Sequence, residues 1–150
     1  MVVRKSSYIF VYENIRTMNK EDINKPTRSE LEILQILWDN GPSTVRFVND
    51  KLNKRKKTGY TTTLKLMQIM LEKNLLSRNE KSRGHIYYPV VQREEIQSQL
   101  LDKFLANTFS GSAHKLVMQA LGNHKPSKSE LEEIKKLIDE LEKDNNGIIE

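Results

Sequence analysis

Thr58-Gly59-Tyr60-Thr61-Thr62-Thr63-Leu64-Lys65-Leu66-Met67-Gln68, TGYTTTLKLMQ in one-letter code, follows directly on the basic run LNKRKK. Leu64, Met67, Met70 and Leu71 recur at helical spacing, which predicts a helix from about Thr61 to Lys73. Consecutive threonines open it, although each β-branched side chain loses rotamer freedom against the preceding turn. Two roles make such residues useful at a helix start. A threonine hydroxyl caps free backbone N–H groups, and its hydroxyl and methyl also suit contacts with phosphates and base edges. Thr61, Thr62, Lys65 and Gln68 fall on one side of this helix, opposite Met67, Met70 and Leu71. From that polar side Lys65 can donate to guanine O6 or N7, Gln68 can pair with adenine and a threonine methyl can pack on a thymine methyl. Thr61 stays open to the simpler role of cap, and Tyr60 either packs under the helix start or reaches a phosphate.

Upstream, order is expected from Pro26. Thr27-Arg28-Ser29-Glu30 has the form of a capping box, and Leu31, Leu34, Leu37 and Trp38, with Ile33 and Ile36 alongside, follow helical spacing. Trp38 reads as a core residue rather than a base-stacking platform. Gly41-Pro42 ends this helix, and Ser43 or Thr44 then caps a second, short one through Val45, Phe47, Val48 and Leu52. Downstream of the threonine helix the texture changes to alternation. Residues 76–79 and 85–88 read as two strands around Lys81-Ser82-Arg83-Gly84, a basic-tipped β-hairpin in which Gly84 is free to take positive φ. Three helices followed by a hairpin is the order of a winged helix-turn-helix, whose third helix enters the major groove while the hairpin lies along the adjacent backbone. Order alone is weak evidence. Its weight comes from charge at the start of the third helix and at the hairpin tip.

That charge is concentrated. Residues 51–85 hold 10 basic and 2 acidic side chains, whereas residues 91–150 carry 8 basic against 11 acidic. The overall charge of +5 therefore combines a strongly basic first part with a mildly acidic second. A basic patch of this kind is the footprint of a polyanion-binding surface, though a solvated lysine face would look similar. Lys54, Arg55, Lys56, Lys57, Lys81 and Arg83 are candidate phosphate contacts, which supply affinity without sequence information.

Over residues 92–150 the pattern is helical. Ile96, Leu100, Phe104 and Leu105 give one stripe, Leu116, Val117, Ala120 and Leu121 a second, and Leu131, Ile134, Leu137, Ile138 and Leu141 a third. Ser127-Lys128-Ser129-Glu130 repeats the capping-box form. Helices of this length can hardly bury their stripes alone, so these residues are expected to form a dimer interface, the rival being that they fold back onto the winged unit. Residues 1–25 show no helical stripe and read as a poorly ordered arm. Met18 is a natural start for the folded part, which puts residues 1–17 in doubt as native sequence. The expected division is an arm at 1–25, a winged-helix unit at 26–91 and a helical dimerisation unit at 92–150.

In order and spacing these residues resemble the BlaI/MecI/CopY-type penicillinase repressors of bacteria. The likeness is carried by PTRSELEILQILWDNGPSTVRFV, by GYTTTLKLMQIMLEKNLL, by RGHIYYPVVQREE at the wing, and by LVMQAL with SKSELEEIKKLIDE near the end. It implies a homodimeric repressor that binds a palindromic double-stranded operator, released by a sensor protease or another inducing signal. Copper-sensing members carry a Cys-rich C-terminus, which is missing here, and members cut by a partner protease carry Asn-Phe where this chain has Gln119-Ala120. Asn107-Thr108-Phe109-Ser110-Gly111 forms a helix break, which makes it an alternative place for cleavage.

Other chemistry has little support. With no cysteine there are no disulfides and no thiolate ligands, a composition that suits a cytoplasmic protein. His85, His114 and His124 lie in different elements without metal-ligand spacing, and no Gly-rich phosphate loop or nucleophile elbow occurs. No cofactor, metal or membrane partner is expected. The apolar segment YIFVY is too short for a signal peptide. The non-regulatory alternative is a winged-helix protein-interaction module whose basic patch meets an acidic protein.

Overall fold

Helix α1, Arg28–Asn40, begins at the capping box. The Thr27 hydroxyl accepts from the Glu30 N–H at 3.3 Å, and the Thr27 N–H donates to Glu30 Oε2 at 2.7 Å. The helix stops at Gly41, whose φ of +82° suits a residue without Cβ and whose N–H returns to the Leu37 carbonyl. This computed structural model describes residues 25–81 and 83–148. The arm read over residues 1–25 lies, apart from Lys25, outside the described residues.

Thr44 is the cap of α2, Val45–Asn53, and accepts from the Phe47 N–H at 3.2 Å. Ser43 does something else. It forms a two-way backbone bridge with Tyr87 (3.0 and 2.9 Å), adding a third short extended segment to the wing. Within this helix Phe47 is exposed, with Lys51 Nζ 5.2 Å from its ring centroid. At 100° per residue Phe47 stands about 200° from Val45, so it points away from the core that Val45, Val48 and Leu52 enter.

Helix α3, Tyr60–Glu72, ends in a Schellman motif. Asn74 takes φ +58°, its N–H donates to the Leu71 carbonyl, and the Leu75 N–H donates to that of Met70 at 2.9 Å. This sharp stop delivers the fully buried Leu75 to the start of β1, Leu76–Asn79, which pairs antiparallel with β2, Ile86–Pro89, in the register Leu76↔Pro89 to Asn79↔Ile86. Gly84 takes φ +74° in the connecting turn, as read from the sequence.

The core of this unit draws Ile33, Leu34 and Leu37 from α1, Val48 from α2, Met67 and Met70 from α3, and Tyr87 from the wing. Burial of each such side chain contributes about 1.5–3 kcal/mol before conformational entropy is counted. The start of α4, Arg93–Thr108, belongs to the same unit. Trp38 Nε1 donates to the Val91 carbonyl at 3.1 Å, Arg93 lies over the Trp38 ring and pairs with Asp39, and Ile96 is fully buried. The unit accordingly runs through Ile96.

A second unit begins at Gln97. It contains the rest of α4, then α5, Ala113–Asn123, and α6, Lys128–Ile148. Ser110 and Gly111, both at positive φ, break the chain after α4 where the sequence suggested a break. Ser127 and Glu130 form the second capping box at 3.1 and 2.7 Å. No described residue of α5 is buried, and Phe104, Val117, Met118, Leu131, Ile138 and Leu141 are exposed.

Glu30 also fastens α1 to the end of α3, because its Oε2 accepts from Lys73 Nζ at 2.7 Å. Burial would raise the carboxyl pKa, but the Lys73 bond and the Thr27 N–H prevail and hold it below the ordinary glutamate value. The stabilisation is therefore present above the unfolded-state pKa, about 4.3, and is lost as pH falls through the depressed folded value. Glu30→Gln should cost about 1–3 kcal/mol at neutral pH and flatten the acid limb of the stability curve, read by denaturant titration from pH 7 to pH 3.

Candidate nucleic-acid interface

The surface of interest is the outward side of α3. Gly59 is its N-cap, and no side chain caps the helix start. Of the two roles left open for Thr61, capping is not the one it takes: all three threonines follow the cap position and lie within the first turn. Thr61 and Thr62 are exposed, whereas Thr63 is fully buried. The hydroxyl of Thr63 accepts from Asn49 Nδ2 at 2.8 Å and approaches the Gly59 carbonyl at 3.4 Å.

Asn49 and Asn53, one turn apart on α2, hold the whole connection. Asn49 Nδ2 also donates to the Thr58 carbonyl at 2.9 Å. Asn53 Oδ1 accepts from the Thr58 N–H at 2.9 Å, while its Nδ2 reaches the Thr58 carbonyl at 3.0 Å and the Asn49 carbonyl at 2.9 Å. Two amides thereby satisfy the backbone of a turn that carries Lys54, Arg55, Lys56 and Lys57. Sequence reasoning missed this network, since Asn49 and Asn53 resemble ordinary polar residues of a short helix. The available signal was their i, i+4 spacing just before a basic turn.

With Thr63, Met67 and Met70 facing inward, α3 turns Tyr60, Thr61, Thr62, Lys65 and Gln68 outward together. Tyr60 is 51% exposed, so it does not pack under the helix start. Lys56 and Lys57 are exposed in the turn before α3, and Lys81 and Arg83 are exposed at the wing tip. Arg78, lower on the wing, is engaged differently: hydrogen bonding with Tyr87 and then with Glu80 raises its pKa, and Nε and Nη2 both donate to Glu80 Oε1, at 3.1 and 2.9 Å. The wing's unpaired cations among the described residues therefore lie toward its tip. His85, His114 and His124 are separately exposed, and among the described residues no group of three or more acidic, histidine or cysteine side chains could hold a metal ion. No helix among the described residues is long and apolar enough to cross a membrane.

Three helices and a hairpin wing, with a polar outward side on the third helix, define a winged helix-turn-helix domain. Residues 26–140 match the sequence model of the penicillinase repressor family. The chain belongs to that family. It is 35% identical over 78 residues to the transcriptional regulator BlaI of Mycobacterium tuberculosis, a match spanning 51% of this chain and 56% of that protein. It is 20% identical over 112 residues to the penicillinase repressor of Bacillus licheniformis, covering 75% of this chain and 88% of that one. The methicillin resistance regulatory protein MecI of Staphylococcus aureus is 19% identical over 110 residues, covering 73% and 89%. Among solved structures, the DNA-binding domain of the repressor BlaI is similar at a TM-score of 0.44 and 19% identity, covering 49% of this chain and 89% of that one.

The Asn49–Thr63 bond makes a direct prediction. Thr63→Val keeps the shape but strands a buried amide N–H, and should destabilise the protein by about 1–3 kcal/mol. Thr63→Ser, which keeps the hydroxyl, should retain most of the bond. Urea midpoints at unchanged m-value measure both.

Proposed function

We propose that this chain is a homodimeric transcriptional repressor that reads a palindromic double-stranded operator and acts by occupying it, as a regulator and not an enzyme. The observation that carries the reading is the outward side of α3, where Thr61, Thr62, Lys65 and Gln68 stand together on a helix locked from behind. Those residues suit base edges in a major groove. Lys56 and Lys57 on one approach, and Lys81 and Arg83 at the wing tip, suit the flanking phosphates. Tyr60, exposed at the helix start, joins the phosphate contacts. No cofactor is needed for this mechanism, and the site of action is the cytoplasm.

The dimer reading is supported by what the second unit leaves uncovered. Phe104 is 50% and Met118 62% exposed, and Val117, Leu131, Ile138 and Leu141 are exposed as well. Leu100, Leu105, Leu116, Leu121, Ile134 and Leu137 are only half-buried. A second copy of the chain covers these residues most economically, because one self-complementary patch then serves both protomers. Release of the operator is assigned to an inducing signal, a sensor protease among the candidates. Gln119 and Ala120 are exposed in the middle of α5, so a protease acting there has to unwind a helix.

A mobility shift with DNA from upstream of its own gene tests the central reading: sequence-blind, weak retardation would instead fit a protein-interaction module. Lys65→Ala should cost on the order of 1–3 kcal/mol at the operator and relax one base position, whereas Lys81→Ala or Arg83→Ala should weaken operator and random DNA alike. Equal losses on both duplexes would remove Lys65 from the base-reading set.

Assembly is tested by shortening the chain. A protein ending at Val91 would lose Arg93 and Ile96 from the first unit, so the cut belongs after Gln97. Such a protein should be monomeric in sedimentation and lose most operator affinity, since linked half-site contacts gain from effective concentration. A truncated form that still sediments as a dimer would place the interface elsewhere.

A further inference from the structure

A groove of about 450 Å³ opens along the flank of α3, between the first turn of α1 and the turn that joins α2 to α3. Arg28 lines it from α1, Arg55, Lys56 and Lys57 line it from the turn, and Thr62 lines it from α3. Glu32 is its one acidic side chain. Arg28 lies far from the basic run in sequence, and only folding brings the two together.

Four cations around one carboxylate make this a strongly electropositive recess. The Glu32 contact does not cancel Arg28. Its Nε stands 3.8 Å from Glu32 Oε1, with the Arg28 side chain 95% exposed, a solvent-screened i, i+4 pair of little strength. The other guanidinium donors of Arg28 remain available, and their planar fork matches the geometry of a phosphate better than an ammonium does. Thr62 belongs both to the groove and to the outward side of α3, so a strand whose bases meet that side has a backbone passing the recess.

We propose that this groove takes a phosphodiester of the DNA backbone beside the half-site, with Arg28 as a contact additional to the basic turn. Glu32 tempers it, holding down affinity for DNA of any sequence. The proposal rests on the DNA-binding reading above and extends the contact surface from α3 and the wing to α1.

The test uses the full chain and two fluorescent duplexes of equal length, one from its own upstream DNA and one scrambled, titrated between 50 and 200 mM salt. Arg28→Ala should weaken both duplexes by the same factor and reduce the slope of log K against log salt by about one. Glu32→Gln should tighten both. Because Arg28 is a surface residue, an unchanged melting temperature verifies that folding is intact. Arg28→Ala binding with wild-type affinity and slope overturns the groove, and so does a loss confined to the upstream duplex, which would make Arg28 a base reader. Discrimination between the duplexes by the unaltered protein reports separately on the underlying function: if it is absent, the DNA-binding reading fails first, whatever Arg28 does.

Discussion

The buried hydrogen bond from Asn49 to Thr63 is the constraint on which the outward side of α3 depends. A helix packed only through Met67 and Met70 would be held by flexible, adaptable side chains that tolerate rolling about the helix axis. A hydrogen bond is directional, and breaking a buried one costs the full desolvation of the groups left behind. Rolling α3 would break the bond and bury Thr61 or expose Thr63. The same amide group of Asn49, with Asn53, fixes Thr58 and hence the turn bearing the basic run. One polar network therefore sets both the facing of the helix and the position of the nearest cations.

The Schellman stop at Asn74 and the Glu30–Lys73 pair fix the other end of α3, and their physics is complementary. Backbone geometry terminates the helix, while an ion pair behind it ties the last turn to the first turn of α1. That arrangement leaves the electrostatics of the outward side unopposed, because the negative charge of Glu30 is spent internally. Arg78 and Glu80 likewise neutralise each other lower on the wing. Unpaired positive charge is left near the start of α3 and at the wing tip, the two places where the proposed docking on a duplex would meet phosphates.

How much of this was legible in the sequence depends on the range of each interaction. Both capping boxes, the Gly84 turn and the polar side of α3 rest on residues three or four apart or on one residue's own backbone, and the sequence carries them openly. The Asn74 stop is equally local but went unread because asparagine reaches positive φ less conspicuously than glycine. What was hidden involves distant residues. Thr63 stands in line with Met67 and Met70, but its hydroxyl is satisfied by Asn49 across from it, and Ser43 is set apart from Thr44 by Tyr87 passing beside it. Phe47 sits among valines yet is exposed, because the helical angle turns it away from the core that Val45 and Val48 enter. Ile96 shows the same effect at the unit boundary, where a residue in a continuous stripe turns out to serve the first unit.

Base reading by a single recognition helix, the role proposed for α3, is modest in energy, which bears on why a winged unit carries a helical extension. In the base-reading role proposed for them, Lys65 and Gln68 offer at most a few good pairings, each worth about 1–3 kcal/mol of discrimination. A single unit on that scale gains much of its affinity from phosphates, and phosphates are everywhere on DNA. Joining two units lets the second bind at high local concentration, so that discrimination accumulates over both half-sites while each unit stays individually weak. On the proposed reading, a signal that separated two protomers would release DNA without altering a single base contact. If the uncovered stripes of the second unit pair two copies as proposed, they are the physical counterpart of that division of labour, since they are remote in sequence from α3.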